Sequence, residues 1–85
     1  MTLKELCIVL DFTVTLNHDY KAQVMADFKP MVEIIDGPML VSTCGRGDDV
    51  NSAMADLCAQ ISNKRIRICR GEPAERRQLP AITLK

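Results

Sequence analysis

One stretch of the sequence, residues 47–63, has the apolar spacing of an amphipathic α-helix and constrains the fold more than any other part of the chain. Apolar residues recur there at positions i, i+3, i+4, i+7, i+8 and i+11, which fall on one helical face. These residues are Val50, Ala53, Met54, Leu57, Cys58 and Ile61. Since the opposite face is polar, the spacing predicts a helix that buries one side against another layer of the protein.

The residues that flank this stretch are typical of helix ends. Asp48 or Asp49 can serve as the N-cap, because a short carboxylate accepts hydrogen bonds from the unpaired N–H groups of the first turn. Asn63 tolerates the left-handed backbone angles that end a helix. We therefore predict a helix over residues 48–62.

The N-terminal segment has a different period. Residues 4–16 place apolar side chains at every second position, which predicts a long β-strand with one apolar face. The apolar positions are Leu6, Ile8, Leu10, Phe12, Val14 and Leu16. Asn17, His18 and Asp19 are turn residues, so a hairpin is expected to follow.

The next segment alternates in the same way over residues 20–28 and again over residues 31–35. Pro30 has no N–H to donate to a strand ladder, so it belongs at an edge, a bulge or a junction between strands. We therefore predict one long strand that bends at Pro30.

A hairpin turn is predicted at Asp36 and Gly37, because both central positions of a type I′ turn need positive φ. Residues 39–44 are expected to form the next strand. The stretch Gly45-Arg46-Gly47 is expected to be a loop that leads into the helix.

Beyond the helix, Ile66 and Ile68 alternate with polar residues over positions 65–69, which predicts a short strand with a basic outer face. Residues 71–75 have the composition of a turn. Residues 76–84 are predicted to close the sheet as an edge strand, because Pro80 favours an edge position. The alternative for residues 71–85 is a frayed tail.

These segments predict an α+β fold: an antiparallel sheet of about five strands in the order β-β-β-α-β-β, with one amphipathic helix packed on one face. A chain of 85 residues corresponds to one domain, residues 1–85, with a small core. A sheet rim left open would allow two copies to pair across a two-fold axis as a homodimer.

The chain has no apolar run of the roughly 18–20 residues that a membrane helix needs, and no signal peptide is evident at its start. Its four cysteines, Cys7, Cys44, Cys58 and Cys69, contain no C-x-x-C spacing, which favours reduced thiols. We therefore predict a cytoplasmic protein without membrane contact.

No motif for catalysis, metal binding or cofactor binding is recognisable. The single histidine, His18, lies in a predicted turn without an activated nucleophile beside it, and its spacing to the cysteines fits no zinc site. Glycines precede the helix at residues 45–47, but aspartates stand where a bound phosphate would sit. The sequence therefore predicts a protein that is not an enzyme and has no cofactor.

The layout of residues 36–41, residues 45–49 and the helix with Ala53 and Leu57 resembles that of small phage and prophage proteins. In these proteins a hairpin leads into a helix capped by a Gly-Asp pair. Some of them are similar to anti-CRISPR inhibitors, and the HicB-like antitoxin domain has a similar step from strand to helix. The resemblance implies a protein that acts by binding another macromolecule.

The first functional hypothesis is a phage-encoded, anti-CRISPR-like inhibitor in the host cytoplasm, which binds a host protein or nucleoprotein complex stoichiometrically. Residues 1–63 carry four basic and nine acidic residues and so have a net charge of −5. Acidic side chains of this part would face basic residues of the partner. The candidate contact residues are Asp11, Asp27, Glu33, Asp48, Asp49 and Asp56.

The second hypothesis is a nucleic-acid-binding or HicB-like antitoxin module that uses the basic C-terminal strands. Residues 64–85 carry seven basic and two acidic residues and so have a net charge of +5. Arginines on two paired strands could contact phosphates. The candidate residues are Arg65, Arg67, Arg76 and Arg77.

Overall fold

The computed structural model describes residues 1–19, 21–37, 39–71 and 73–85. In these ranges the chain forms two helices and seven strands. In chain order they are α1 (Leu3–Leu10), β1 (Thr13–His18), β2 (Val24–Lys29), β3 (Val32–Asp36), β4 (Met39–Ser42), β5 (Cys44–Gly47), α2 (Val50–Ile61), β6 (Arg65–Ile68) and β7 (Glu75–Gln78). The predicted α+β class is confirmed.

The strands form two antiparallel sheets where the sequence predicted one. The first sheet has the strand order β1-β2-β5, and the second has the order β4-β3-β6-β7. The predicted single sheet of about five strands is therefore correct only in outline.

The prediction of a strand over residues 4–16 is wrong for its first half, which is the helix α1. Thr2 and Glu5 form a capping box: the Thr2 Oγ1 accepts from the Glu5 N–H at 3.1 Å, and the Glu5 Oε1 accepts from the Thr2 N–H at 3.4 Å. Leu3, Leu6 and Leu10 are buried and lie three and four residues apart. Because that spacing places them on one helical face, it was the signal that the alternation obscured.

A long, bent hairpin links the two sheets. β2 pairs with β5 in the first sheet, and β3 pairs with β4 in the second. At the corner, Pro30 follows a cis peptide bond, and the Thr43 N–H donates to the Val32 carbonyl at 3.1 Å. The chain thus turns at Pro30 as predicted, but the predicted single long strand is two strands, β2 and β3, which belong to different sheets.

The other arm of this hairpin differs from its prediction. The expected single strand over residues 39–44 is divided at Thr43, and residues 45–47, expected to be a loop, belong to β5. The expected strand over residues 20–28 begins only at Val24. The turn predicted at Asn17, His18 and Asp19 is misplaced, because Asn17 and His18 belong to β1 and pair with β2. The turn predicted at Asp36 and Gly37 joins the antiparallel pair β3 and β4. Tyr20 and Pro38, which follow these two predicted turns in the sequence, lie outside the described residues.

α2 is confirmed as predicted. Its N-cap is Asp49, whose Oδ1 accepts from the Ser52 N–H at 2.7 Å, and Asn63 has the left-handed backbone with φ of 59°. The predicted apolar face is buried at Ala53, Leu57, Cys58 and Ile61, is half-buried at Met54 and is exposed at Val50.

α2 packs directly on β5 and β2. The approach is so close that a Cβ added at Gly45 would overlap the Ala53 carbonyl oxygen and the Leu57 amide nitrogen. A Cβ at Gly47 would lie 2.7 Å from the Ala53 amide nitrogen. These two glycines are therefore where the helix backbone contacts the sheet.

Both helices and both sheets contribute to one hydrophobic cluster. The C-terminal segment joins it, because Leu79 and Ile82 are buried. The Ser62 hydroxyl donates to the Ile82 carbonyl at 3.0 Å, and Thr83 forms a parallel bridge with Thr2. The edge strand predicted over residues 76–84 is therefore shorter than expected, since β7 ends at Gln78 before Pro80, and the residues after it are docked on the core rather than frayed.

In the described parts of the chain, neither helix has the length and apolar character that crossing a bilayer requires.

Candidate functional site

The second sheet has one buried and one open face. Side chains alternate along β3 and β6, so that the residues of one parity enter the core and those of the other face outward. The buried ones are Val32, Ile34, Ile66 and Ile68. The outward ones include Glu33, Arg65 and Arg67. The basic outer face expected for the strand after the helix is thus observed.

Register extends this basic face onto β7. Arg67 lies directly between Glu33 on β3 and Arg76 on β7, so these three side chains form one row across the sheet. Arg65 is two residues from Arg67 on β6 and therefore faces the same way, opposite Gln78. We call Arg65, Arg67 and Arg76 the arginine face.

One member of the arginine face is paired within the chain. The Arg67 Nη2 donates to the Glu33 Oε2 at 2.9 Å, and 32% of the Arg67 side chain and 19% of the Glu33 side chain are exposed. The Arg67 Nε is buried, and no described group accepts a hydrogen bond from it. Arg67 thus has donor capacity that its pairing with Glu33 leaves unused.

The other two members are free of partners in the part of the chain that the structure describes. Arg65 and Arg76 are exposed, and neither makes a hydrogen bond or an ion pair there. Arg76 lies directly opposite Arg67, and like charges in that position repel. A single carboxylate, that of Glu33, faces three guanidinium groups among the described residues.

A cavity of about 540 Å³ opens beside this row, between β6, β7 and the chain that joins them. Its described lining includes Arg67, Cys69, Pro73 and Arg76. Glu72 belongs to the same connection by sequence but lies outside the described residues. The size and the two guanidinium groups suit a small anionic group.

Arg77, predicted to act together with the other arginines, faces the other side of β7. It lies opposite the buried Ile66, and its Nε donates to the Glu75 Oε1 at 2.8 Å. Glu75 also pairs with Arg70 at 3.1 Å. Arg70 itself donates to the Leu10 carbonyl at 2.8 Å, so this group of charges ties β7 to the end of α1.

The acidic candidates of the first hypothesis lie on several elements of the fold. Asp11 ends α1, Asp27 is on the first sheet beside Cys44, and Asp48 is exposed before α2. Glu33 pairs with Arg67, and Asp49 caps α2. Among the described residues, Glu33 is thus the acidic candidate that pairs with a basic candidate.

Asp56, the sixth acidic candidate, acts together with Gln60 at the free edge of β5. The Asp56 Oδ2 accepts from the Arg46 N–H at 2.9 Å, and the Gln60 Nε2 donates to the Cys44 carbonyl at 2.7 Å. The Gln60 Nε2 also donates to the Asp56 Oδ2 at 2.8 Å. Side chains of α2 thus form hydrogen bonds with the Arg46 N–H and the Cys44 carbonyl, backbone groups at the edge of β5 that could otherwise pair with a further strand. Sequence reasoning missed this role because it depends on how α2 crosses β5.

The rim of the second sheet differs between its two edges. β7 carries charged residues, whereas Met39, Leu40 and Val41 on β4 are uncharged and are 66%, 46% and 47% exposed. Of the two, β4 is the edge without the charges that discourage pairing between chains. The homodimer stays a prediction.

His18 is exposed at the end of β1. Within residues 1–19, 21–37, 39–71 and 73–85, no three His, Cys, Asp or Glu side chains come together in a group that could hold a metal ion. All four cysteines carry free thiols, and burial raises the pKa of Cys7, Cys44 and Cys58 above the ordinary 9.0. These three thiols are therefore less reactive than an exposed thiol at neutral pH.

Three carboxylates, of which Asp49 is exposed and Asp19 and Glu75 are half-buried, have a lowered pKa. Hydrogen bonding to Arg77 lowers the pKa of Glu75 below its ordinary 4.5, and Arg70 adds to the effect. Backbone N–H groups lower the other two below 3.8: that of Gln23 acts chiefly on Asp19, and that of Ser52 on Asp49. Each carboxylate is thus more easily kept ionised in the folded chain than in the unfolded chain.

We expect these three carboxylates to make the stability of the protein fall in acid. A folded-state pKa below the unfolded value contributes stability that is complete above the unfolded pKa and is lost as the pH falls through the folded value. The melting temperature, followed by circular dichroism, should stay level from about pH 7 to about pH 5 and decline below about pH 4.5. Replacing both Asp49 and Glu75 with their amides should flatten the decline, and a melting temperature that rises in acid would contradict the assignment.

Comparisons of the chain with protein-family models, curated proteins and solved structures found no match. The resemblance to anti-CRISPR proteins therefore stays a prediction, and functional inference depends on the geometry described above.

Proposed function

We propose that the protein is a non-catalytic binding module that contacts the phosphate backbone of a nucleic acid through the arginine face. The observation that carries the proposal is the direct opposition of Arg67 and Arg76 on paired strands. Two guanidinium groups in this position repel each other, and the Glu33 carboxylate pairs with Arg67 alone among the described residues. A bound phosphate would turn this repulsion into attraction to both residues.

The spacing of the arginine face suits a linear polyanion. Arg65 and Arg67 are two residues apart on one strand, which separates them by about 6.6–6.8 Å. Guanidinium groups also match phosphate oxygens in geometry, since they donate two parallel hydrogen bonds.

Aromatic residues are nearly absent from this chain, which limits the kind of recognition. Phe12 and Phe28 are buried, and they contact each other with ring centroids 5.5 Å apart. Stacking of bases on aromatic side chains therefore has no support from these two residues. We infer contact with the sugar-phosphate backbone and little sequence preference.

The inhibitor hypothesis receives less support from the geometry in its original form, because its acidic residues lie on several elements and three of them, Glu33, Asp49 and Asp56, bond within the chain. A narrower form agrees with the present proposal. A small protein that occupies the nucleic acid of a host nucleoprotein complex would inhibit it without catalysis. The arginine face would then be its contact surface.

The test is binding of fluorescein-labelled 20-nucleotide single-stranded RNA and DNA, followed by anisotropy at several salt concentrations. Three phosphate contacts should give a slope of log K against log salt of about −2 to −3, and so about 20- to 40-fold weaker binding at 200 mM than at 50 mM salt. Arg76→Gln should weaken binding at low salt and make the slope shallower by about 0.7–0.9.

Arg77→Gln is the matched control, because Arg77 is the next residue on β7 and faces away from the arginine face. It should leave both the affinity and the salt slope unchanged. Circular dichroism would check that both variants fold. Equal losses in the two variants, or no binding at 50 mM salt, would refute the arginine face as a nucleic-acid contact.

A further inference from the structure

A second concave site lies on the helical side of the protein and shares no residue with the arginine face. It is an apolar groove of about 330 Å³ between α1, the start of β1, and α2. Its lining includes Cys7 of α1, Phe12 and Val14 around the start of β1, Met54 of α2, and Leu84 from the C-terminal segment. Four separate parts of the chain thus meet around one apolar opening.

The apolar surface continues beyond the groove. Leu16 follows Val14 on the same face of β1 and is 44% exposed, as is Val50, one turn before Met54 on α2. Ile8, one turn after the groove residue Lys4 on α1, is 72% exposed. Large apolar side chains exposed together around a concave site are typical of a surface that binds something apolar.

The groove has one ionisable amine at its border. Lys4 lines it, is exposed, and makes no ion pair or hydrogen bond with any described residue. No acidic residue is among the described lining residues. The one charge among the described lining residues is therefore positive, and it complements an anionic head group.

We propose that this groove binds a single aliphatic chain with a carboxylate head, such as a medium-chain fatty acid, with the chain against Met54 and Val14 and the carboxylate beside Lys4. The volume is at the lower end of the roughly 300–1,000 Å³ of small-molecule sites, which suits one narrow chain better than a bulky ring system or a helix. The contribution of Lys4 is mainly orientation, because an exposed ion pair adds little affinity.

Methionine methyl groups offer a specific test, because Met54 lines the groove whereas Met31 and Met39 are exposed elsewhere. The protein, labelled with ¹³C at the methionine methyl groups, would be titrated with octanoate, decanoate and dodecanoate below their micelle concentrations. The Met54 signal, assigned with Met54→Leu, should shift and saturate while those of Met31 and Met39 stay in place. Affinity should rise by up to about fourfold per added methylene until the groove is full.

The head group is tested with Lys4→Gln and with decanol. Lys4→Gln should weaken decanoate binding by about two- to fivefold and leave decanol binding unchanged. Three results would overturn the proposal: no shift of Met54, equal shifts of Met54 and Met39, which indicate general adsorption, or a Met54 shift that follows protein concentration without ligand, which indicates a second copy in the groove. The Arg76→Gln variant should bind decanoate normally, so this test is independent of the proposed nucleic-acid contact.

Discussion

Replacing Leu57 with aspartate is expected to abolish cooperative unfolding. Leu57 is fully buried on the face of α2 that lies against β5. An aspartate there would either bury a carboxylate without a partner or force the helix off the sheet, and each costs several kcal/mol. The free energy of unfolding of the whole chain is on the order of 4–13 kcal/mol, so this one substitution removes a large part of it.

Denaturant unfolding followed by circular dichroism measures this effect. The variant should show a broad, shallow transition or none, where the parent protein shows a sharp one. Ala55→Asp is the matched control, because Ala55 lies on the exposed side of the same helix. This substitution adds the same charge without burying it. A sharp transition in Leu57→Asp would mean that α2 does not cover the sheet as described.

The difference between α2 and α1 explains which helices sequence reasoning can find. α2 is twelve residues long, and its apolar positions fit a helical period and no other. α1 has eight residues, and Leu6, Ile8 and Leu10 fit a strand as well as a helix. Two features of the sequence do indicate the helix: the capping box of Thr2 and Glu5, and the helical spacing of Leu3, Leu6 and Leu10.

The division into two sheets was not predictable from local patterns. Between Asp27 and Glu33 the chain has five residues, whereas between their partners Cys44 and Ser42 it has only Thr43. This mismatch turns the hairpin from one sheet into the other. Such a mismatch depends on the register of distant segments, which alternation in a single segment does not contain.

The candidate site was predicted only in part, because the rest of it also depends on the register between distant strands. Alternation within β6 correctly placed Arg65 and Arg67 on one outer face. It could not show that Glu33, 34 residues earlier, pairs with Arg67. Nor could it show which of Arg76 and Arg77 would join that face, because that choice requires the register between β6 and β7.

Replacing Gly45 with alanine is expected to destabilise the protein strongly, although alanine usually fits a strand better than glycine. The added Cβ would meet backbone atoms of α2 at Ala53 and Leu57, which cannot rotate away as a flexible side chain can. Overpacking of this kind costs about 1–3 kcal/mol or more, and we expect about 3 kcal/mol here. That corresponds to a melting temperature lower by about 12–24 °C for a domain of this size.

The sign of the change in melting temperature distinguishes direct contact between α2 and β5 from a looser packing of the helix. If α2 stood away from β5, Gly45→Ala would stabilise the strand by about 0.5–1 kcal/mol, because glycine loses more conformational freedom on folding. Arg46→Ala, at the exposed neighbouring position, controls for changes in β5 itself and should shift the melting temperature little. A melting temperature for Gly45→Ala at or above that of the parent would therefore contradict direct contact between helix and sheet, since only that contact makes the smallest side chain at this position too large.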